Sequence, residues 1–233
     1  MRISDKDINR VNGSGTGVLS GGSGLIDAAA VVLAGGRGKR AGGAKVFLSV
    51  EGRCLILEVL GRALSIFREG ILSCRSEDED LVSRLLQSFP GRDRVRTVTD
   101  RVEGLGPLEG LAVGLSSAGR DWSFVIGCDM PLFQESVVRL MWSRRKDDRD
   151  AVIARVGGYL EPLHAFYHKR CYSAVEAAIS RSRHKISSFF DDISPVIVEE
   201  GELSHIPGYR RSFMNINTPG DINLWLEDSP GRS

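Results

Sequence analysis

The sequence predicts an α/β fold: a mostly parallel, twisted β-sheet in three layers, with helices on both of its faces. Composition supports this, because 233 residues with 42% hydrophobic and 26% charged side chains are ordinary for a globular chain with a sizeable core. Two continuous apolar runs, 28–34 (AAAVVLA) and 122–127 (WSFVIG), are typical of strands covered on both faces. Such strands alternate with segments of helical periodicity about a dozen residues long, which indicates βαβ units.

The elements follow from local patterns. Residues 1–27 are predicted to be a flexible leader, because nine of the fourteen residues 11–24 are Gly or Ser, and a single domain then covers 28–233. The predicted strands, apolar segments bounded by turn residues, are in chain order 28–34, 70–74, 95–99, 122–127, 151–156, 163–167 and 195–199. The predicted helices, with apolar residues at helical spacing, are 55–68, 77–87, 108–118, 134–145 and 170–180. A last helix begins with Thr218 as N-cap and Pro219 at the first helical position.

Charge and composition exclude several classes of protein. A formal net charge of +1 gives no reason to expect a nucleic-acid partner. The longest uninterrupted apolar run, 28–34, is far shorter than the ~20 residues of a membrane-spanning helix, and the first ten residues are polar. We therefore expect a cytoplasmic protein without a membrane partner. The four cysteines lie at wide, irregular spacings, which predicts unpaired structural thiols rather than a zinc site or disulfides.

A glycine-rich, basic loop follows the first strand and reads GGRGKRAGGAK over 35–45. Its five glycines allow backbone N–H groups to wrap a phosphate chain. Arg37, Lys39, Arg40 and Lys45 add positive charge without an acid, so the loop is predicted to bind a phosphorylated ligand. Two alternatives stay open, a mobile surface loop and a dinucleotide-binding GxGxxA turn at 36–41. The second would need a helix that Gly42 and Gly43 break, and an acid that the next strand lacks.

Two aspartates follow predicted strands. Asp129 comes after 122–127, which would place its carboxylate at the carboxyl edge of the sheet, where ligands bind in this fold class. A carboxylate there is a candidate Mg²⁺ ligand, and its alternative role is N-cap of the next helix. Asp100 ends the strand 95–99 at the same edge, where a turn-forming role is the alternative to a ligand contact.

Several motifs in a fixed order resemble those of the molybdenum cofactor guanylyltransferases, a family of nucleotidyltransferases with a Rossmann-like fold. The motifs are LAGG at 33–36 with Lys45 after it, Asp100 with GPLEGL at 106–111, GCDMP at 127–131, EPLHAFY at 161–167 and FMNINTPGD at 213–221. Together they cover about 28–226, and the Asn-Ile-Asn-Thr-Pro element favours the molybdenum branch. Three positions depart from the pattern: Ala41 stands where methionine is usual, Ala44 where an aspartate precedes the lysine, and Ser73 where an asparagine is usual.

The resemblance implies an Mg²⁺-dependent transfer of GMP from GTP to molybdopterin cofactor, with release of pyrophosphate. Lys45, Arg40 and Asp129 would be catalytic, with Asp129 as the metal ligand. The residues that would hold GTP are Leu33, Ala34, Gly35, Gly36, Lys45, Ser73 and Asp100. Asn215 and Asn217 alternate with apolar residues and would face the acceptor side, where paired amides suit a pterin ring or its phosphate; backbone capping is their alternative role. Transient contact with other molybdenum cofactor proteins is a further expectation.

Two other functions stay open from the sequence. Similar loops serve nucleotidyltransferases that use CTP or a sugar-phosphate acceptor. Ala44 and Ser73 also allow a catalytically weak nucleotide-binding module. His164 and His184 have no ligand partner at helical spacing and are predicted to be structural. The basic run at 181–185 is predicted to be solvated, with contact to an acceptor phosphate as the alternative.

Overall fold

Strands and helices alternate along the residues that the computed structural model describes, which are 24–34, 49–50, 53–102 and 104–228. The strands are β1 (Ile26–Leu33), β2 (Ser49–Val50), β3 (Arg53–Cys54), β4 (Phe67–Cys74), β5 (Val95–Thr99), β6 (Trp122–Gly127), β7 (Ala151–Val156), β8 (Tyr159–His168) and β9 (Pro195–Glu199). The α-helices are α1 (Leu55–Ile66), α2 (Glu79–Leu86), α3 (Pro107–Ser117), α4 (Glu135–Ser143), α5 (Cys171–Ser180), α6 (Glu200–Leu203) and α7 (Pro219–Glu227).

Seven of these strands form one sheet in the order β5-β4-β1-β6-β8-β7-β9, and β2 pairs with β3 in a separate two-stranded ladder. Strands β5, β4, β1 and β6 are parallel neighbours. Strand β8 runs antiparallel to both β6 and β7, and β9 is parallel to β7. This arrangement confirms the predicted mostly parallel α/β sheet and places the carboxyl ends of β5, β4, β1 and β6 at one edge.

The central strand β1 shows why the sheet has three layers. Ala28, Ala30 and Val32 contribute to one buried cluster, which also contains the apolar faces of α1, α2 and α4. Ala29 and Val31 contribute to the second cluster, with the apolar faces of α3 and α5. Because successive side chains of a strand point to opposite faces, a strand covered by helices on both sides is apolar throughout.

Four strands have the bounds that the sequence predicts: 95–99, 122–127, 151–156 and 195–199. Thr218 caps α7 as predicted: its hydroxyl accepts the N–H of Asp221, and Pro219 takes the first helical position. The first strand begins at Ile26, which is buried and lies inside the segment assigned to the leader. The prediction of a flexible leader otherwise concerns residues before position 24, which lie outside the described residues.

Some predicted bounds were wrong. The helix predicted to reach position 68 ends at Ile66, because Phe67 is extended and fully buried, with its ring stacked 5.3 Å from that of Phe124. The strand predicted at 163–167 runs from Tyr159 to His168, because Gly157 and Gly158 adopt positive φ angles that allow a tight hairpin directly before it. The helix predicted at 77–87 is divided into a 3₁₀ turn at Ser76–Asp78 and α2.

The four cysteines are all buried, and none of them forms a disulfide. Burial raises the pKa of Cys74 and of Cys171 to about 12. In the described part of the chain, no helix is long and apolar enough to cross a lipid bilayer.

Candidate active site at the carboxyl edge of the sheet

Backbone hydrogen bonds extend the parallel ladder past the ends of its strands. The N–H of Ala34 donates to the carbonyl of Ser73 at 2.8 Å, and the N–H of Cys128 donates to the carbonyl of Leu33 at 3.1 Å. The N–H of Asp100 likewise donates to the carbonyl of Cys74 at 3.0 Å. The structure therefore brings the residues that follow β1, β4, β5 and β6 to one edge, where ligands bind in open α/β sheets.

Asp129 lies directly beyond the end of β6, two residues after Gly127. A Cβ atom at Gly127 would lie only 2.6 Å from Oδ1 of Asp129, so the carboxylate occupies space that a side chain there would fill. The alternative role as N-cap of the next helix is wrong, because α4 begins at Glu135 with Gln134 as its N-cap. Asp129 is half-buried.

The segment Asn215–Asn217 lies against Asp129, although it is far away in sequence. The N–H of Ile216 donates to the carbonyl of Asp129 at 2.7 Å. Ile216 is 1% exposed and packs with Leu55, Leu132 and Trp225 in a small third cluster. Asn215 and Asn217 are exposed on either side of it, which is the alternation that the sequence predicts.

Asn217 is also tied to the start of α7. The backbone N–H of Asn217 donates to Oδ2 of Asp221 at 3.0 Å, so its backbone belongs to the cap of α7. Both asparagines lie beside the end of β6, on the side of the sheet edge away from β5. The structure thus separates a group at β4 and β5 from a group at β6 and the C-terminal segment.

Ser73 and Asp100 form the first of these groups. The hydroxyl of Ser73 and Oδ1 of Asp100 are buried, and neither has a hydrogen-bond partner within 3.5 Å among the described residues. The two side chains are nevertheless close enough for the Ser73 hydroxyl to lower the pKa of Asp100. Helix α3 packs closely beneath them, since a Cβ atom at Gly110 would lie 3.0 Å from the Ser73 hydroxyl and 3.1 Å from Leu33. Buried polar atoms are normally hydrogen-bonded, and this neighbouring pair retains further donor and acceptor capacity that a ligand at the edge could use.

The electrostatic setting of Asp100 is also unusual. Burial of the carboxyl group, reinforced by the negative charge of Glu109, raises the pKa of Asp100 from 3.8 to about 6. A carboxyl group whose pKa is raised in this way, at an edge where ligands bind, is a candidate functional group. Ligand affinity at this edge is therefore expected to depend on pH.

Sequence analysis missed Glu109, which is completely buried in the first turn of α3. Its carboxylate pairs with Arg101, with 2.8 Å between Nε and Oε1. The only signal was its place among small and apolar residues in GPLEGL at 106–111. An acid in place of a small apolar residue on a buried helix face could have been noticed as requiring a cationic partner.

His164 is structural, as predicted. It is fully buried on β8 and its Nε2 lies 3.1 Å from the hydroxyl of Ser212, which also accepts the backbone N–H of Gln134 at 2.8 Å. These bonds attach the turn before Asn215 to β8 and to the start of α4. His184 is exposed on the surface.

Most of the residues predicted to contact the nucleotide from the loop after β1 are not among the described residues. Gly35, Gly36, Arg40 and Lys45 lie outside the described residues, whereas Leu33 and Ala34 are buried at the end of β1. Among the described residues, no three His, Cys, Asp or Glu side chains are grouped so as to hold a metal ion. Mg²⁺ commonly takes one or two protein carboxylates, with water and substrate phosphates as its other ligands, and the half-buried Asp129 fits such a role.

A cleft of about 670 Å³ lies at the opposite edge, beside the starts of β4 and β5. Its arginines are occupied by main-chain carbonyls: Arg94 donates to the carbonyls of Leu64 and Arg68, and Arg96 to that of Ser117. These side chains satisfy the free carbonyl groups where α1 and α3 end. Arg94 and Arg96 of this cleft therefore have a structural role at the ends of α1 and α3.

Comparison with known proteins agrees with this geometry. The family described as MobA-like NTP transferase domain matches residues 30–196. A probable molybdenum cofactor guanylyltransferase of Pelotomaculum thermopropionicum is 31% identical over 198 residues, which cover 85% of this chain and 91% of that protein. The molybdenum cofactor guanylyltransferase of Syntrophotalea carbinolica is 30% identical, covering 87% of this chain and 92% of the relative.

A solved structure shows the same architecture. The molybdopterin-guanine dinucleotide biosynthesis protein A of Archaeoglobus fulgidus superimposes with a TM-score of 0.70 at 26% identity, covering 85% of this chain and 97% of that one. The sheet and the edge described above are therefore shared with a structure of related sequence.

Proposed function

This chain belongs to the MobA-like NTP transferase family and is a nucleotidyltransferase, and from this premise we propose that it transfers GMP from GTP to molybdopterin cofactor. An oxygen of the acceptor phosphate attacks the α-phosphorus of GTP. The bond from that phosphorus to the bridging oxygen of the β-phosphate breaks, and pyrophosphate leaves. The protein's task in such a transfer is mainly to position the two phosphates and to stabilise developing negative charge.

One observation carries the proposal: the hydrogen bond from the N–H of Ile216 to the carbonyl of Asp129. It places the Asn215–Asn217 segment beside the candidate metal ligand, while Ser73 and Asp100 lie at the other side of β1. A nucleotide at Ser73 and Asp100 and an acceptor at Asn215 and Asn217 would then meet near the end of β6. Bringing two reactants together at fixed positions is what a transferase site must do.

Ser73 and Asp100 suit a guanine base. An ionised carboxylate only accepts hydrogen bonds, and guanine offers an N–H donor and an amino group on one edge. The buried Oδ1 of Asp100 is an acceptor of this kind, and the Ser73 hydroxyl can donate as well as accept. The main chain of Leu33 to Gly36 would contact the base and phosphates.

Asp129 would hold Mg²⁺, which when bound neutralises charge on the triphosphate and orients it. Lys45 and Arg40 would contact the phosphates from the basic loop, and Arg40 can do so with two parallel hydrogen bonds. Asn215 and Asn217 would orient the pterin acceptor. We expect this reaction to take place in the cytoplasm, with transient contacts to other proteins of molybdenum cofactor synthesis.

The test compares Asp129→Asn with Gly127→Ala. Asparagine removes the charge that holds the cation, and alanine at 127 displaces the carboxylate through its 2.6 Å contact with Oδ1. Because a carboxylate end is mobile, both variants should fold normally yet lose at least ~100-fold in pyrophosphate release with GTP, acceptor and Mg²⁺. The exposed Asp93→Asn at the opposite edge is the matched control and should keep full activity. Full turnover of Asp129→Asn would refute the assignment.

A thermal-shift panel with GTP, CTP, ATP and NAD in the presence of Mg²⁺ tests the nucleotide. Selective stabilisation by GTP is expected, since a ligand that binds only the native state raises the melting temperature. Selectivity for CTP would favour a cytidylyltransferase instead. GTP binding without any turnover would indicate a nucleotide-binding module, for which Ala44 and Ser73 are the sequence grounds.

A further inference from the structure

We propose that Glu109 is a positioning residue that holds Asp100 in its nucleotide-binding place, by accepting the N–H of the peptide that follows Asp100. This inference rests on the proposed function and deepens it, because it adds a residue that acts on the nucleotide-binding group Asp100. Glu109 does not touch the nucleotide in this proposal. It acts through Asp100 and the loop that begins there.

The contacts of Glu109 all point to this loop. Its Oε1 accepts the backbone N–H of Arg101 at 3.1 Å and the side-chain Nε of Arg101 at 2.8 Å. Its Oε2 accepts a second guanidinium nitrogen of Arg101 at 3.2 Å. The carboxylate therefore satisfies the main chain and the side chain of one residue, directly after Asp100.

With this bond, both peptide units of Asp100 are held. The N–H of Asp100 donates to the carbonyl of Cys74 at 3.0 Å, and its carbonyl accepts the hydroxyl of Ser76 at 3.3 Å. The next N–H, that of Arg101, donates to Glu109. The N–H and the carbonyl of Asp100 therefore both have partners, so its backbone is arranged before a ligand arrives, which lowers the entropic cost of binding.

Arg101 stabilises the buried negative charge of Glu109. A buried carboxylate is unfavourable unless it is paired and hydrogen-bonded, and Arg101 supplies both. Arg101 also donates to Glu176 at 2.6 Å and lies 3.4 Å from the hydroxyl of Tyr172, both on α5. The start of the loop after β5 is thus joined to α3 and to α5.

The groups that face Asp100 can be named for the described part of the chain. They are Glu109 from α3, Arg75 from the turn after β4, and Ser73 and Cys74 from β4 itself. Arg75 is occupied by Glu77 and Asp78. Glu109 is therefore the negative charge whose removal should let Asp100 ionise more easily.

The experiment measures GTP affinity from about pH 5 to pH 8 for the wild type, Glu109→Ala, Glu109→Gln and Glu69→Ala. The last is a matched control, because Glu69 also accepts a backbone N–H, that of Gly119 at 2.9 Å, at the opposite edge of the sheet. Circular dichroism and melting temperature confirm folding. Each protein is titrated with GTP and Mg²⁺ by calorimetry.

At pH 8, where Asp100 is ionised, Glu109→Ala should bind GTP at least ~10-fold more weakly, which corresponds to about 1.4 kcal/mol. Glu109→Gln keeps a carbonyl oxygen for the N–H of Arg101, so it should restore affinity at pH 8. Because it lacks the negative charge, its affinity should persist to lower pH than that of the wild type. Glu69→Ala should match the wild type throughout.

The outcomes separate this inference from the proposed function. If the wild type binds GTP and Glu109→Ala binds it equally well at pH 8, the positioning role is wrong while the proposed function stands. A lower melting temperature in both Glu109 variants with no change in affinity would also overturn it. If the wild type fails to bind GTP at every pH, the proposed function fails first.

Discussion

Replacing His164 with phenylalanine should remove a large part of the acid sensitivity of the fold. The imidazole ring is fully buried, and its Nδ1 has no hydrogen-bond partner among the described residues. Aromatic rings surround it, with that of Phe213 at 4.5 Å and that of Phe124 at 5.0 Å between centroids. Burial lowers the pKa of His164 from 6.5 to about 3, so the native protein keeps a neutral ring.

The sign and size of the effect follow from linkage. Below about pH 6.5 the unfolded chain binds a proton at His164 that the native protein does not, so stability falls as the pH falls. Each pH unit between the two pKa values removes about 1.4 kcal/mol of unfolding free energy. Lowering the pH from 6.5 to 5 therefore costs about 2 kcal/mol, and the loss continues down to the native pKa.

Urea unfolding followed by tryptophan fluorescence at pH 7.5 and pH 5 measures this term. Phenylalanine is an aromatic side chain that does not titrate. Asp100 and the other acids titrate in both proteins, so the relevant quantity is the stability of the variant relative to the wild type. That difference should move by about 2 kcal/mol in favour of His164→Phe between the two pH values.

The exposed His184→Ala is the control and should leave the pH dependence of the wild type unchanged. A stability difference between wild type and His164→Phe that is the same at both pH values would refute the reasoning. That result would mean that the native pKa of His164 is close to its value in the unfolded chain, because the ring is protonated in the native state or is in contact with water. A lower stability of His164→Phe at pH 7.5 alone reports lost packing and the lost contact with Ser212, and does not bear on the linkage.

Two further predictions concern packing and capping. Gly114→Ala should destabilise the fold by about 1–2 kcal/mol, because the added Cβ would lie 2.4 Å from the fully buried Val31 and overpacking outweighs the gain in helix propensity. The same change at Gly61 in α1 should raise the melting temperature, because the nearest atom to the added Cβ is 4.0 Å away. Equal effects at the two glycines would contradict this. Thr218→Ala should lower the unfolding free energy by about 1 kcal/mol and Thr218→Ser should not, because only alanine loses the hydroxyl that accepts the N–H of Asp221 at 3.2 Å.

Local sequence patterns were sufficient to predict the bounds of elements that tertiary contacts do not alter. The strand at 122–127 is apolar at nearly every position, because both of its faces are covered, and its bounds could be read directly. The start of α7 could be read from Thr218 and Pro219, since capping acts within one turn. The end of α1 before Phe67 could not be read from the sequence, because a short apolar run fits a helix and a strand equally well. There the stacking of Phe67 on Phe124 of β6 favours the strand.

The candidate site was predictable to a similar degree. Asp129 and Asp100 could be assigned to one edge, because the carboxyl ends of parallel strands coincide. The alternative of an N-cap at Asp129 could be dismissed only when α4 was seen to begin at Glu135. The role of Glu109 was hidden, because a glutamate in a helical motif is usually a surface residue.

From the sequence alone, the fold class, the order of its main elements and the family follow, since periodicity, turn residues and ordered motifs are local properties of the chain. The tertiary structure decided how distant segments meet: β8 inserted antiparallel between β6 and β7, Ile216 bonded to Asp129, and Glu109 buried against Arg101. These contacts depend on how the sheet and helices pack, because a side chain's burial and charge partner arise only when separate elements come together.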